Sequence, residues 1–503
     1  MSGKRKAMIP ARLVRSGTLL RIVSTFKGAP CGRLPRPMLS RMNGDLAAGA
    51  DRGTAAAQDN ARPVVDTRRL PVRRRAPYAV SPSIGPEGAR ACLELIEAGH
   101  RLFTERGYHA TTTTAIAEAT GRSDAAFYQY FDGKQALFLL LFENLGRDLV
   151  AQFAALPPIA ATPAGLAALR EWLAGLGAVL NRHSASLLEW PTPDEADEEP
   201  SENPQEAYIA RLAGAFRDRL PHADFAGLSP RAVALVVTSL TAYGHFVLDV
   251  RNRGLRTEAT APAVLDDALS RVVHRSLFPD AYPARKPGRP GGPGGVHPPA
   301  RSAPEQLPGL RRPVTRRGHA TIKKITEAAI ATFEARGLAG TSVNDIIAAA
   351  GVAHGTFYTY WADRAAIVAT LTHQAAEAVL AHLATLLDAG STAELGAWLA
   401  GWLDVVADHG PVLHVWAADI VDEPLLQPLG IEVDDRLRDV ANRLLADSPV
   451  LDGLDENART TALWTVLAEL PRSAWRRNPV LTRDEVLRAQ TLLLARGFLG
   501  WPL

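Results

Sequence analysis

Cysteine and aromatic residues are scarce in this chain of 503 residues. Its two cysteines, Cys31 and Cys92, are too few for a disulfide framework or for a zinc site of their own, which favours a reducing compartment. Aromatic residues make up 6% and hydrophobic residues 47% of the chain, so its cores must be built from Ala, Leu and Val. Catalytic motifs are missing too: there is no Gly-rich loop ending in Lys-Ser/Thr, no His-Glu-x-x-His, no Cys-x-x-Cys and no Gly-x-Ser-x-Gly. We therefore expect a globular protein that is not an enzyme and needs neither a cofactor nor a metal.

Long apolar runs are absent as well. The nearest candidate for a membrane span, residues 232–250, is interrupted by polar side chains at Thr238, Ser239, Thr241, Tyr243, His245 and Asp249. A membrane-spanning helix needs about 20 predominantly apolar residues. We expect a buried helix here and no membrane partner.

The net charge of +3 hides segments of opposite sign. Residues 1–90 hold 18 Lys/Arg against 5 Asp/Glu, residues 281–319 hold 8 against 1, and the remainder carries a net charge of −17. Residues 1–86 are predicted to be a disordered basic arm, with a transit peptide or an over-long start as alternatives. Residues 281–319 are predicted to be a basic, Pro/Gly-rich linker; its run Arg285-Lys286-Pro287-Gly288-Arg289-Pro290 matches an AT-hook core only weakly. The acidic segment 194–199 is predicted to be a solvated loop.

The two acidic regions that make up this remainder, residues 91–280 and 320–503, are copies of one another. Glu97-Ala98 through Arg106-Gly107 aligns without a gap with Glu327-Ala328 through Arg336-Gly337. The same constant offset pairs Thr111 with Thr341, Ile116 with Ile346, Gly121 with Gly351, Phe127 with Phe357, Tyr128 with Tyr358 and Tyr130 with Tyr360. A gapless register of this length indicates a tandem duplication.

Each repeat is predicted to open with three short helices. Thr112 and Ser342 are suited to cap the second helix, at 113–120 and 343–350, and Gly121 and Gly351 end it in a turn that accepts positive φ. A third helix follows at 123–130 and 353–360. Two short helices joined by a glycine turn form a helix-turn-helix, whose second helix enters the DNA major groove.

The motif residues resemble the TetR family of bacterial transcriptional regulators. The resemblance rests on Thr341-Ser342-Val343-Asn344-Asp345-Ile346, Ala350-Gly351-Val352 and Gly355-Thr356-Phe357-Tyr358-Thr359-Tyr360-Trp361, with Thr111–Ala117 and Phe127–Phe131 in the first copy. It implies an all-α protein with two tandem helix-turn-helix domains, at 90–149 and 320–379. Each would be followed by a helical ligand-binding and dimerisation domain, at 150–280 and 380–503. Further helices are predicted at 133–155, 163–182, 204–220, 230–253 and 262–277, then at 364–389, 392–407, 411–420, 433–446, 457–469 and 483–496.

The resemblance also implies which residues contact DNA. In the first copy these are Thr112, Arg122, Ser123, Asp124, Ala126, Tyr128, Gln129, Tyr130 and Lys134. In the second they are Ser342, His354, Gly355, Thr356, Tyr358, Thr359, Tyr360 and Arg364. A carboxylate such as Asp124 is unfavourable beside phosphates or acceptor-rich base edges. We therefore predict that the second copy contributes more affinity and that the operator is asymmetric.

An unknown small-molecule effector is implied as a second partner. Its pocket would be lined by aromatic and histidine side chains, with Trp172, Tyr243, His245, Trp402, His414 and Trp416 as candidates, although each of these is more often a core residue. We expect a cytoplasmic, nucleoid-associated, ligand-responsive repressor of double-stranded DNA, acting as an intrachain pseudo-dimer or a homodimer. The alternatives are a sensor or co-regulator that does not bind DNA and, less favoured, an all-α enzyme.

Overall fold

The architecture comes from a computed structural model, which describes part of the chain. The described residues are 74–75, 79–80, 86–106, 108, 111–183, 204–220, 222–252, 259–290, 308–312, 318–336, 341–419, 426–446, 448–475 and 481–503. Most of the predicted arm, the middle of the predicted linker and the acidic segment 194–199 therefore lie outside the described residues. Two short strands, β1 (Arg74–Arg75) and β2 (Ala79–Val80), pair antiparallel near the end of the arm.

Helices make up the rest of the regular structure in the described residues, which confirms the predicted all-α class. The first repeat contains α1 (Pro86–Arg106), α2 (Thr113–Glu118), α3 (Asp124–Phe127), α4 (Lys134–Ala154), α5 (Pro163–Arg182), α6 (Pro204–Arg219), α7 (Pro230–Val250) and α8 (Pro262–Leu277). The second contains α9 (Gly318–Arg336), α10 (Val343–Ala350), α11 (His354–Tyr360), α12 (Arg364–Leu383), α13 (Thr392–Asp419), α14 (Gln427–Leu444), α15 (Glu456–Trp475) and α16 (Arg483–Thr491). A π-helical segment, Leu492–Leu499, continues α16.

Local sequence signals begin several of these helices. Ser229 accepts a hydrogen bond from the backbone N–H of Ala232, and Pro230 occupies the first helical position of α7, where its missing N–H has no intrahelical partner to lose. Thr482 and Glu485 form a reciprocal capping box at the start of α16.

One predicted boundary is wrong. A break was expected before Pro411, yet α13 runs without interruption from Thr392 to Asp419. A proline inside a helix removes one backbone hydrogen bond and crowds the preceding turn. Neither effect ends this helix.

The chain divides into two compact units. The first consists of residues 1–156 and 174–219. In it, α1 and α4 approach closely at Gly99, where an added Cβ would clash with the side chain of Leu137. The rings of Phe103 and Phe138 meet edge to face at 5.9 Å, and Phe153 of α4 packs on Phe216 of α6 at 5.5 Å. The first two contacts join α1 of the DNA-binding domain to α4, and the third joins α4 to α6.

The second unit consists of residues 157–173 and 220–503. It contains the second helix-turn-helix, whose core is centred on Ile325, Ile346, Phe357, Trp361 and Ile367. It also contains the last two helices of both repeats. Within it, α7 packs against α15, and α8 packs against the segment Leu492–Leu499.

Helix α7 is long and apolar enough to cross a membrane, yet most of it is buried inside the protein. This burial is what a core helix requires, as the polar interruptions in its sequence predict.

Candidate nucleic-acid interface

The second helix-turn-helix is built by a complete set of local signals. Ser342 Oγ accepts from the Asp345 N–H at 3.2 Å, and the Asp345 carboxylate accepts from the Ser342 N–H at 2.8 Å, forming a capping box at the start of α10. Gly351 ends α10 in the left-handed region with φ 54°. The recognition helix α11 then runs from His354 to Tyr360. The predicted cap, turn and helix are all confirmed here.

The first helix-turn-helix has the same frame and a shorter recognition helix. Thr112 caps α2 by accepting from the Ala115 N–H at 3.1 Å, and Gly121 adopts φ 68°. Helix α3 has only four residues, and residues 128–130 form turns instead of the predicted last helical turn. The two recognition elements therefore differ in length as well as in sequence.

The start of α11 is an open part of the second interface. His354 and Gly355 are exposed, and a Cβ built on Gly355 meets nothing within 4 Å. Thr356 is half-buried, and Thr359 Oγ1 donates to the Gly355 carbonyl at 2.9 Å. Within the part of this domain that the structure describes, no neighbouring atom requires a glycine at position 355.

The two tyrosines of α11 differ in their surroundings from a typical core ring. Tyr358 and Tyr360 are both half-buried against the domain core. The ring of Tyr358 packs on His354 at 4.9 Å between centroids. Phe357 and Trp361, by contrast, are fully buried, as predicted for residues that pack the domain. Each tyrosine can keep its ring on the core while its hydroxyl reaches a polar partner.

In the first copy the predicted contact residues differ widely in how exposed they are. Ser123 is exposed and makes no side-chain cap bond, and Asp124, Ala126 and Gln129 are half-buried. Tyr128 is 47% exposed, with its Oη 3.4 Å from Thr113 Oγ1. Tyr130 is only 7% exposed. Its ring belongs to the core, so its predicted phosphate contact would depend on the hydroxyl edge alone.

Arg122 is held by an acidic neighbour that sequence reasoning missed. Its Nη2 lies 2.6 Å from Glu94 Oε2 on α1, and both side chains are partly exposed. The second repeat has Lys324 at the position equivalent to Glu94 and Val352 at the position equivalent to Arg122. Extending the alignment of the repeats outside the motif would have revealed this exchange of a carboxylate for an ammonium group.

Lys134 and Arg364 make equivalent bonds in the two copies. Lys134 Nζ donates to the Thr111 carbonyl at 3.0 Å and to the Tyr108 carbonyl at 2.9 Å. Arg364 Nη1 donates to the Thr341 carbonyl at 2.9 Å. Each cation thus lies beside the residue that precedes the cap of the second helix. Their contact with phosphate stays a prediction.

The pocket candidates are packed side chains wherever they are described. Trp172 and Tyr243 are each 4% exposed. His245 Nε2 lies 2.7 Å from the buried carboxylate of Asp266. Trp402 stacks on Trp398 at 5.7 Å, and its indole N–H donates to the Leu467 carbonyl at 2.7 Å. The other two candidates, His414 and Trp416, belong to α13, but their side chains lie outside the described residues.

No group of three or more potential metal ligands occurs in the described part of the chain. Two helix-turn-helix domains with capped second helices, glycine turns and exposed recognition elements have the frame that presents a helix to the DNA major groove. The family described as "Bacterial regulatory proteins, tetR family" matches the chain twice, at residues 95–141 and 325–371. These two stretches are TetR-type DNA-binding domains in tandem, as predicted.

Individual relatives match over short stretches. The HTH-type transcriptional repressor AcnR of Corynebacterium efficiens is 36% identical over 62 residues, which cover 12% of this chain and 33% of AcnR. AcnR of Corynebacterium glutamicum gives the same values. The nucleoid occlusion factor SlmA of Haemophilus influenzae is 38% identical over 56 residues, covering 11% of this chain and 26% of SlmA. The chain thus spans about a third of the length of the AcnR repressors and about a quarter of SlmA.

A solved structure also matches: a TetR-family transcriptional regulator from Syntrophomonas wolfei, with 18% sequence identity and a TM-score of 0.29. The match covers 35% of this chain and 93% of that protein.

Proposed function

We propose that this protein is a ligand-responsive transcriptional repressor that binds DNA with two unequal helix-turn-helix domains. The observation that carries the proposal is the open start of α11, where an exposed Gly355 leaves room that its own domain does not use. Both domains keep the capped and glycine-turned frame that presents a recognition helix to the major groove. The AcnR relatives are named transcriptional repressors, which supports this direction of regulation.

The charges around the two turns support unequal affinity. The first domain places Glu94 beside Arg122 and begins its recognition helix with Asp124. The second has Lys324 near its turn, 3.7 Å from where a Gly351 Cβ would stand, and begins α11 with His354. Because duplex DNA is a polyanion, the second surface favours binding more than the first. An operator read by two different surfaces would be asymmetric.

Polar contacts between the repeats support an intrachain pseudo-dimer. In the second compact unit, the buried guanidinium of Arg251, from the first repeat, lies 2.5 Å from Asp434 and donates to Asn457 at 2.6 Å. Thr260 donates to Asp455 at 3.1 Å. The first repeat supplies the cation and the second supplies the carboxylates. Two copies of the same repeat would not reproduce this pairing of a cation with carboxylates. A buried ionic cluster can in this way specify which repeat pairs with which.

A second cluster of the same unit also joins the repeats. Arg271 Nη1 donates to the Asp452 carbonyl at 3.0 Å, and Arg496 lies 2.7 Å from the Asp224 carboxylate. The backbone N–H of Ala226, and then Arg496, lower the pKa of Asp224. The carboxylate is therefore charged at neutral pH and keeps its partner.

The test is a salt titration of the protein on DNA from upstream of its own gene. Log K should fall steeply and linearly with log salt, because each neutralised phosphate releases counterions. If the protein bound this DNA at none of the salt concentrations, the proposal would be refuted in favour of the sensor or co-regulator. An effector is tested separately, by screening small molecules for release of the bound DNA.

A further inference from the structure

A basic segment of the linker lies across the carboxyl end of the second recognition helix. The Arg311 N–H donates to the Tyr360 carbonyl at 2.7 Å, and Arg311 Nη1 donates to the Tyr358 carbonyl at 3.2 Å. Arg312 Nε donates to the Thr359 carbonyl at 3.1 Å. The last carbonyls of a helix have no intrahelical donor, and cations are favourable at that end of the helix dipole. Residues 308–312, called the strap below, therefore close the end of α11.

The strap is fixed to the domain at its other end too. Thr370 Oγ1 donates to the Pro308 carbonyl at 2.6 Å and accepts from the indole N–H of the buried Trp361 at 2.9 Å. Gly309 has φ 84°, and a Cβ there would clash with the Ala366 carbonyl oxygen. Only glycine fits this backbone and this space. The position of the two arginines is consequently set by the fold.

Both arginine side chains are exposed beside the tyrosines expected at the DNA backbone. Each guanidinium has five N–H donors, and each gives one to a carbonyl of α11. The remaining donors suit phosphate oxygens, which guanidinium groups bind through paired hydrogen bonds. At the constant offset of the repeats, the positions equivalent to Arg311 and Arg312 are Ser81 and Pro82, which carry no charge.

We propose that the strap is a phosphate-binding element of the second domain, in which Arg311 and Arg312 bind backbone phosphates of duplex DNA next to Tyr358 and Tyr360. The proposal rests on the proposed function, because it requires that the second domain dock on DNA. It adds a sequence-independent contact that the helix-turn-helix motif does not contain. It also explains part of the predicted difference between the domains.

The experiment compares the full-length protein with the double variant Arg311→Gln/Arg312→Gln. Binding to a fluorescein-labelled duplex of unrelated sequence and to an upstream duplex is followed by anisotropy over a series of salt concentrations. The double variant should weaken binding to both duplexes by the same factor and reduce the slope of log K against log salt by about two, since each phosphate contact contributes about 0.9. Lys286→Gln removes one charge from an exposed site of the same linker and should leave the slope unchanged.

The conservative variant Arg312→Lys separates charge from helix capping. It should keep the wild-type salt slope, whereas Arg312→Gln should lose about one unit of it. An unchanged slope in the double variant, together with a lower melting temperature, would show that the strap only caps α11 and would overturn the proposal. The backbone bonds of Pro308 and Arg311 are untouched by these substitutions, so the variants should fold. A wild type that binds neither duplex would overturn the proposed function instead.

Discussion

A methyl group added at Gly355 should affect stability and DNA binding in opposite directions. Gly355 is the second residue of α11, is exposed, and has nothing within 4 Å of an added Cβ. Alanine is favoured over glycine within a helix by about 0.5–1 kcal/mol. The substitution Gly355→Ala should therefore raise the free energy of unfolding by up to about 0.5 kcal/mol, because the position lies in the first turn.

The same methyl group would occupy the space that the duplex is expected to enter. Forcing one extra methyl group into a packed contact costs roughly 1–3 kcal/mol, which corresponds to a loss of about 5- to 150-fold in affinity. Anisotropy on the operator measures the affinity, and thermal unfolding followed by circular dichroism measures the stability. Unchanged affinity with lower stability would refute the reasoning, since it would mean that the glycine serves the fold.

The first repeat supplies a matched control at Ala125, the position equivalent to Gly355. Ala125 is exposed near the start of α3. The substitution Ala125→Gly should slightly lower stability and change affinity by less than about twofold, because it adds no bulk. A large loss of affinity in this control would point to backbone flexibility as the cause in both domains.

Three further predictions concern the unequal DNA affinity of the two domains, the dependence of stability on pH and the ion pair between the repeats. Tyr358→Ala should weaken operator binding more than Tyr128→Ala in anisotropy measurements, and equal losses would contradict the unequal domains. Burial lowers the pKa of His100 from 6.5 to about 4. As the pH falls, His100 is therefore protonated in the unfolded chain before it is protonated in the folded protein. Stability should then fall by roughly 3 kcal/mol as the pH drops from about 6.5 to 4, and His100→Gln should flatten that slope in urea titrations. Asp434→Ala removes the Asp434 carboxylate from the buried Arg251 and should lower the free energy of unfolding by about 3–5 kcal/mol in urea unfolding. A loss below about 1 kcal/mol would contradict a structural role for this ion pair between the repeats.

The helix-turn-helix frames could be predicted from sequence because their determinants are local. A cap at Thr112 or Ser342 acts on a backbone N–H in the first turn, and a left-handed turn at Gly121 or Gly351 depends on the missing Cβ of a single residue. The constant offset between the repeats then transferred each assignment from one copy to the other. Local chemistry and repetition were sufficient to predict the fold class and the family of the two DNA-binding domains.

The electrostatic partners could not be predicted in the same way. Arg122 meets Glu94 across 28 positions, and Arg312 meets Thr359 across 47 positions. Such pairings depend on how helices and linker pack, which residue spacing does not reveal. The linker residues illustrate this: their composition predicted only a basic, Pro/Gly-rich linker, while contacts with α11 fix the described residues 308–312.

Pro411 shows a different limit. Proline is a strong local signal against a helix interior, yet α13 continues through it. Tertiary packing around a long helix can outweigh the loss of one backbone bond. The predicted boundary failed because the local signal was read without that packing.

The central claim is that one chain engages DNA with both of its helix-turn-helix domains. Native mass spectrometry of the complex with a footprinted upstream duplex tests it most directly. We expect one chain per duplex, with two unlike half-sites protected about one helical turn, roughly 34 Å, apart. Two chains per duplex on a strict palindrome, each protecting a single half-site, would contradict it.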